Sequence, residues 1–400
     1  MNPGTNSWKS TSDSVRQALE SYGCFVVAYD ISLDLYEKTF GLTEELFRLP
    51  METKRRHISE VAGFGYGGNY AVMPLFEYFG IEDDGTFEAT KKFTSLMWPD
   101  GHHKFCETIH SYAKVLSKLD HTIMKMVGSS YNLEKYMDPL IQSSTYMTRL
   151  MRYHAPGENK SGIGIIPHRD KSFMSVIGTN EVKGLEIETR DGNWIDFEPS
   201  PGKFIVVVGE ALMAWSNGRI YCPLHKVTAR GTKEKYSIGL FTFVRGILQV
   251  PEELIDDENP LKFKPFSNLE FLEYCKEGGP KMKGAIQTYY LPSLSSLFSR
   301  LNSLALSFQS PSSTEVLSLF LVLIFPIASR HQQTVPPISA AIRLHGFIPH
   351  ESDMFWDPLY VERLREEGRV EDRVEVQQKL DQYIARTSTL EAQVKWMMGK

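Results

Sequence analysis

Pro167-His168-Arg169-Asp170, answered far downstream by Pro223-Leu224-His225-Lys226-Val227 and Lys235-Tyr236-Ser237, decides how the rest of the chain is read. Two imidazoles and one carboxylate form the ligand set of a non-haem Fe(II) facial triad, in which the protein covers one face of the metal and leaves the other for substrate and oxygen. Alternate side chains of a strand share a face, so a strand through residues 167–170 would present His168 and Asp170 side by side. His225 lies 55 positions beyond Asp170 (225 minus 170), far enough for several short strands to travel round a barrel and return. A double-sheet jelly roll joins such distant strands over an interior cavity.

The sequence between fits that plan. Residues 173–177, 184–189, 193–197 and 203–208 read as strands, with turns at Asp191-Gly192, Pro199-Ser200-Pro201-Gly202 and Asn217-Gly218. Asn-Gly predicts a hairpin, because both central residues of its turn need positive φ. Residues 145–153 and 236–244 add two longer strands.

Extended over His168-Arg169-Asp170-Lys171-Ser172-Phe173, Gly184-Leu185-Glu186-Ile187, Trp215-Ser216-Asn217-Gly218-Arg219, His225-Lys226-Val227, Tyr236-Ser237-Ile238-Gly239-Leu240-Phe241 and Val250-Pro251-Glu252-Glu253-Leu254, the pattern resembles the plant 2-oxoglutarate- and Fe(II)-dependent dioxygenases. The likeness runs from about residue 12 to about residue 290. Met151-Arg152-Tyr153 and Phe263-Lys264-Pro265-Phe266 make it most similar to the branch containing the glucosinolate side-chain dioxygenases. The resemblance implies an all-β core, a double-stranded β-helix or jelly roll, with flanking α-helices. It implies Fe(II) on His168, Asp170 and His225, 2-oxoglutarate as cosubstrate and ascorbate as reductant. The reaction would hydroxylate, desaturate or oxidatively dealkylate a small specialised metabolite, with release of succinate and CO2.

The resemblance has one departure. The family places an Arg ten residues after the second His to grip the distal carboxylate of 2-oxoglutarate; here that position is Lys235, with Ser237 retained. Lys is a point charge where Arg is a bidentate fork, so weaker cosubstrate binding is expected. The bland reading makes Lys235 a solvated strand end in an impaired enzyme. Many members also place an Asn, and two residues on a Tyr, against the cosubstrate; here Arg152 and His154 stand there with Tyr153 between. Tyr153 is assigned to the cosubstrate and His154 to a supporting or surface role.

Composition narrows the alternatives. At 42% hydrophobic and 23% charged residues, with a net charge of −5, the chain has a globular make-up and no basic footprint for nucleic acid. Cys24, Cys106, Cys222 and Cys275 lie far apart without a CxxC pair, which argues against a zinc site or disulfide framework and for a reducing compartment. No secretory pattern opens the chain, so a cytoplasmic location is expected; a monomer without a membrane segment is expected as well. The family's opening strand is expected to be missing, since Ser12 leads directly into the helical stripe Val15, Ala18, Leu19 and Tyr22.

Four segments are expected: a mainly helical support at 1–144, the jelly-roll core at 145–248, a helical closing segment at 249–290 and a tail at 291–400 that is helical or partly disordered. In the tail, the apolar run 316–328 is too short to cross a bilayer, and 357–398 reads as a charged helix. Gly63-Phe64-Gly65-Tyr66-Gly67-Gly68 lacks a βαβ setting and is read as a flexible loop by the substrate mouth. His102 and His103 are read as solvated, and His110 and His121 as packing residues on a long helix; Phe173, Trp215 and Phe241 are candidates for an apolar wall. Two functions fit: an active oxygenase, or a catalytically impaired relative that binds ligand or has decayed.

Overall fold

The computed structural model describes residues 2–61, 63–83 and 86–276. The readings of the tail, and of the end of the 249–290 segment, lie outside the described residues. The amino-terminal part carries helices α1 (Asn6–Ser21), α2 (Leu33–Phe47), α3 (Met51–Lys54), α4 (Phe87–Met97), α5 (His103–Ser130) and α6 (Glu134–Gln142), interrupted by β1 (Cys24–Ala28), β2 (Gly65–Tyr70) and β3 (Met73–Asp83). Then follow β4 (Ser144–Tyr153), β5 (Ser161–His168), β6 (Met174–Thr179), β7 (Leu185–Glu188), β8 (Trp194–Asp196), β9 (Lys203–Val208), α7 (Glu210–Trp215), β10 (His225–Arg230) and β11 (Lys235–Val244). A short pair, β12 (Ile247–Leu248) and β13 (Phe266–Ser267), precedes α8 (Asn268–Lys276).

The helices start where their sequences cap them. Thr5 accepts a hydrogen bond from the Trp8 amide and Ser32 from the Leu35 amide, each satisfying a free N–H of a first turn. In α1 the buried positions are Trp8, Ser12, Val15 and Leu19, three or four residues apart on one face. The expected stripe thus begins a turn early, and Tyr22, at 50% exposure, lies off it. His102 is not merely solvated: its Nδ1 accepts from the Phe105 amide and caps α5, while its ring packs on Trp98.

The larger sheet has the order β1-β9-β6-β11-β4-β3-β2 and the smaller the order β5-β10-β7-β8, all pairs antiparallel. Both faces of the larger sheet are covered. Along β11, Ile238, Leu240 and Val244 join the core shared with the helices, while Phe241 and Phe243 join the core between the sheets. This period of two explains why every residue of β11 is buried although the strand carries Lys235 and Ser237. Those two polar residues fall on the inter-sheet side, the interior of the jelly roll.

Two local expectations change. Gly65–Tyr70 is strand β2, hairpinned to β3 at the sheet edge, because its glycines let the backbone approach Glu77 and Tyr78 closely. Asn217-Gly218 does take positive φ at both residues (56° and 77°), but it closes α7 and makes no hairpin. Asn217 is buried and its side chain donates to the carbonyls of Leu254 and Pro260 and accepts from the Lys262 amide. It ties the loop before β13 to the end of α7. Losing these bonds strands buried backbone groups, so Asn217→Ala should lower unfolding free energy by about 2–3 kcal/mol in urea titrations; a change within error would contradict this.

Candidate metal centre and its cavity

His168 ends β5 and His225 begins β10, and the two strands pair with these residues directly opposite each other. Their rings face at a centroid distance of 4.2 Å. Asp170 lies two residues beyond the end of β5, so strand alternation is not what aligns it with His168. Beyond the strand, the Glu210 amide donates to the Asp170 carbonyl, and Ser175 Oγ donates to Asp170 Oδ2 at 2.7 Å. Asp170 Oδ1 then stands 3.6 Å from His168 Nε2 and 3.7 Å from His225 Nε2.

Each imidazole is oriented by its other nitrogen. His168 Nδ1 lies 3.0 Å from the Ile166 carbonyl and His225 Nδ1 lies 3.4 Å from the Pro223 carbonyl. A carbonyl can only accept, so these contacts place the proton on Nδ1 and leave the Nε2 lone pair facing Asp170. Burial first, then the facing His225 ring, hold His168 well below the usual histidine range, so it is neutral at pH 7. Burial opposes ionisation of Asp170, but His225, His168 and the Ser175 hydroxyl outweigh it and keep the carboxyl below its ordinary value. Two imidazole nitrogens and one carboxylate, with ligand atoms all within 4.8 Å of one another, suit a divalent first-row metal. Among the described residues no other group of three or more such side chains comes together.

The three residues lie on the wall of a cavity that Lys235, Ser237, Tyr153 and Arg149 also line, with about 470 Å³ not filled by protein atoms and part of it open to solvent. Lys235 is only 2% exposed, which removes the reading of a solvated strand end. Its Nζ donates to Thr179 Oγ1 at 2.6 Å and to the Val182 carbonyl at 2.9 Å. Among the described residues no carboxylate pairs with it, and burial alone lowers its pKa to about 7. Tyr153 sits directly across from Lys235, with its ring stacked on Phe76 at 5.2 Å. Of the three apolar candidates, Phe241 reaches this cavity, whereas Phe173 and Trp215 pack together on the helix side of the sheet.

Arg152 and His154 alternate with Tyr153 and face the other way. There Glu77 receives Lys54 at 2.7 Å and Arg152 at 3.1 Å, and His154 bridges Glu77 and Glu234 at 3.5 and 3.3 Å. Burial alone would raise the Glu77 pKa, but hydrogen bonds from His154, Lys54 and Tyr66 hold it at about 2. The network fastens β3, β4 and β11 to the segment around α3.

Arg149, Ser175 and Thr179 escaped the sequence reading. Arg149 carried a usable signal: Met147, Arg149, Met151 and Tyr153 alternate along β4, and a charge stands in an otherwise apolar row. Ser175 and Thr179 sit in a strand buried on both faces and look like ordinary strand residues.

Comparison with known proteins identifies the family. The model of the 2OG-Fe(II) oxygenase superfamily matches residues 145–244, and that of the amino-terminal region of non-haem dioxygenases in morphine synthesis matches residues 2–94. "Probable 2-oxoglutarate-dependent dioxygenase AOP1" of Arabidopsis thaliana is 37% identical over 282 residues, spanning 68% of this chain and 92% of the relative. Among solved structures, the rice dioxygenase for auxin oxidation superposes with a TM-score of 0.62 at 26% identity, over 71% of this chain and 95% of that one. The Arabidopsis thaliana dioxygenase for auxin oxidation 1, in a binary complex with 2-oxoglutarate, gives 0.60 at 26% identity over 64% and 97%.

Two outcomes follow from the supports around the triad. Ser175→Ala removes the bond that turns Asp170 inward and should weaken Co(II) binding about tenfold in absorption titrations, without loss of fold. Glu77→Gln leaves buried cations underpaired and should destabilise the protein by about 3 kcal/mol with metal affinity unchanged; a metal-binding defect would place Glu77 in the site after all.

Proposed function

The chain belongs to the 2OG-Fe(II) oxygenase superfamily, and we propose that it is a working dioxygenase whose metal is held by His168, Asp170 and His225 and whose cosubstrate carboxylate is held by Lys235. It is a 2-oxoglutarate-dependent oxidoreductase of plant specialised metabolism, similar to the AOP dioxygenases. One observation carries the assignment of the site. Three donor atoms within 4.8 Å of one another share a cavity with a buried lysine that has no carboxylate partner among the described residues.

Fe(II), when bound there, supplies oxidation of an unactivated C–H bond coupled to conversion of 2-oxoglutarate and dioxygen to succinate and CO2. The chain's own residues supply position and exclusion of water. Ile166 and Pro223 hold the imidazoles in the ligating tautomer, and Ser175 holds the carboxylate. Lys235 and Ser237 give the distal carboxylate a charge and a hydroxyl on one face of β11, and Tyr153 closes that end of the cavity opposite Lys235. The proposal extends to a cytoplasmic monomer that uses ascorbate as reductant and acts on a small metabolite, on the ground of the family likeness.

Lys235 also favours the impaired alternative, since burial disfavours the cation that a carboxylate clamp needs. Succinate release from iron-loaded protein supplied with 2-oxoglutarate and oxygen separates the two. The dioxygenase reading expects release that His168→Ala abolishes and Lys235→Arg raises; no iron binding and no succinate from either wild type or Lys235→Arg would establish the impaired form. The lysine gives a pH signature as well. Lys235 is cationic below about pH 7 and neutral above it, so 2-oxoglutarate affinity should fall by up to about tenfold per pH unit as pH rises past that value. Lys235→Arg should flatten the profile, and a flat wild-type profile between pH 6 and 9 would remove Lys235 from the clamp.

A further inference from the structure

Arg149 stands among the apolar residues that β4 turns into the cavity. Its cross-strand partners are Gly80 on β3 and Gly239 on β11, so no side chain flanks it in its own row. The guanidinium carbon lies 3.9 Å from the centroid of Tyr78, 5.8 Å from that of Phe76 and 6.0 Å from that of Phe241. Aromatic faces hold the plane of a guanidinium and leave its N–H edge unused. Among the described residues Arg149 forms no ion pair, and its buried Nε has no hydrogen-bond acceptor. A permanently charged fork of donors therefore borders the cavity without an acceptor among the described residues.

The two cations of the cavity do different things. Arg149 and Lys235 both line the cavity that holds His168, Asp170 and His225. The strand register keeps them apart: Arg149 pairs with Gly239 and Tyr153 pairs with Lys235, four residues apart on β11 and about 13 Å along the strand. Lys235 has Ser237 beside it for one carboxylate, and Arg149 is left over. Asp170 does not supply its missing partner, because that carboxylate is committed to Ser175 and the two imidazoles.

We infer that Arg149 receives a carboxylate of the primary substrate, edge-on through its N–H fork, so that the protein oxidises a small organic acid. A planar carboxylate matches the fork in two parallel hydrogen bonds. The carbon skeleton then extends past the aromatic rings toward the triad. This deepens the dioxygenase reading and rests on it.

Calorimetry on the full chain, loaded with Zn(II) and saturated with 2-oxoglutarate under nitrogen, tests the inference with hexanoate and 3-phenylpropanoate against their primary amides. Each acid should bind at least tenfold more tightly than its amide. Arg149→Gln should bring the acids down to the amide level with 2-oxoglutarate affinity unchanged, and Arg149→Lys should restore part of the difference. Equal binding of acid and amide, or no binding of either acid, overturns the inference from wild-type protein alone, so it does not hang on whether a variant folds. Loss of 2-oxoglutarate affinity in Arg149→Gln overturns it too, by making Arg149 a cosubstrate clamp. Failure of wild type to bind 2-oxoglutarate at all would instead bring down the dioxygenase reading beneath it.

Discussion

The pairing of His168 with His225 across β5 and β10 is the constraint on which the site depends. Residues 57 positions apart (225 minus 168) become direct neighbours because β6 to β9 return the chain to the smaller sheet. A one-residue slip would send one imidazole to the opposite face of the sheet and end the ligand set. What prevents the slip is packing: Leu185, Ile187 and Val227 of the same sheet are buried against Phe241 and Phe243 of the other. The interior that fixes the register is also the cavity wall.

Charge is distributed across the two faces of the larger sheet in opposite ways. On the helix side, Glu77 and Glu234 are matched by Lys54, Arg152 and His154, and the result is a closed structural network. On the inner side, Arg149 and Lys235 face a cavity whose one described carboxylate, Asp170, is already held by the triad and Ser175. Burying unmatched cations is unfavourable for the free protein. Anionic ligands would relieve that cost.

The sequence carried the fold because its signals were local and physical. Lys203–Val208 appears as expected. The donor set was readable as a ligand type, but the placement of Asp170 was not, since it depends on bonds from the Glu210 amide and Ser175, which sequence alternation cannot see. Asn217 illustrates the same limit: its positive φ was legible, whereas its partners in the loop before β13 come from tertiary packing. Arg149 was visible as an odd charge in an apolar row, yet only the three surrounding rings and its missing acceptor distinguish it from a surface arginine.

In the proposed site the triad and the lysine end of the cavity bind their ligands together. The most direct measurement is a calorimetric titration of 2-oxoglutarate into the protein under nitrogen, with and without Fe(II), beside His225→Ala. Tight binding that requires the metal and disappears in His225→Ala is the predicted result. Binding of equal strength without metal, or none in any condition, would contradict it.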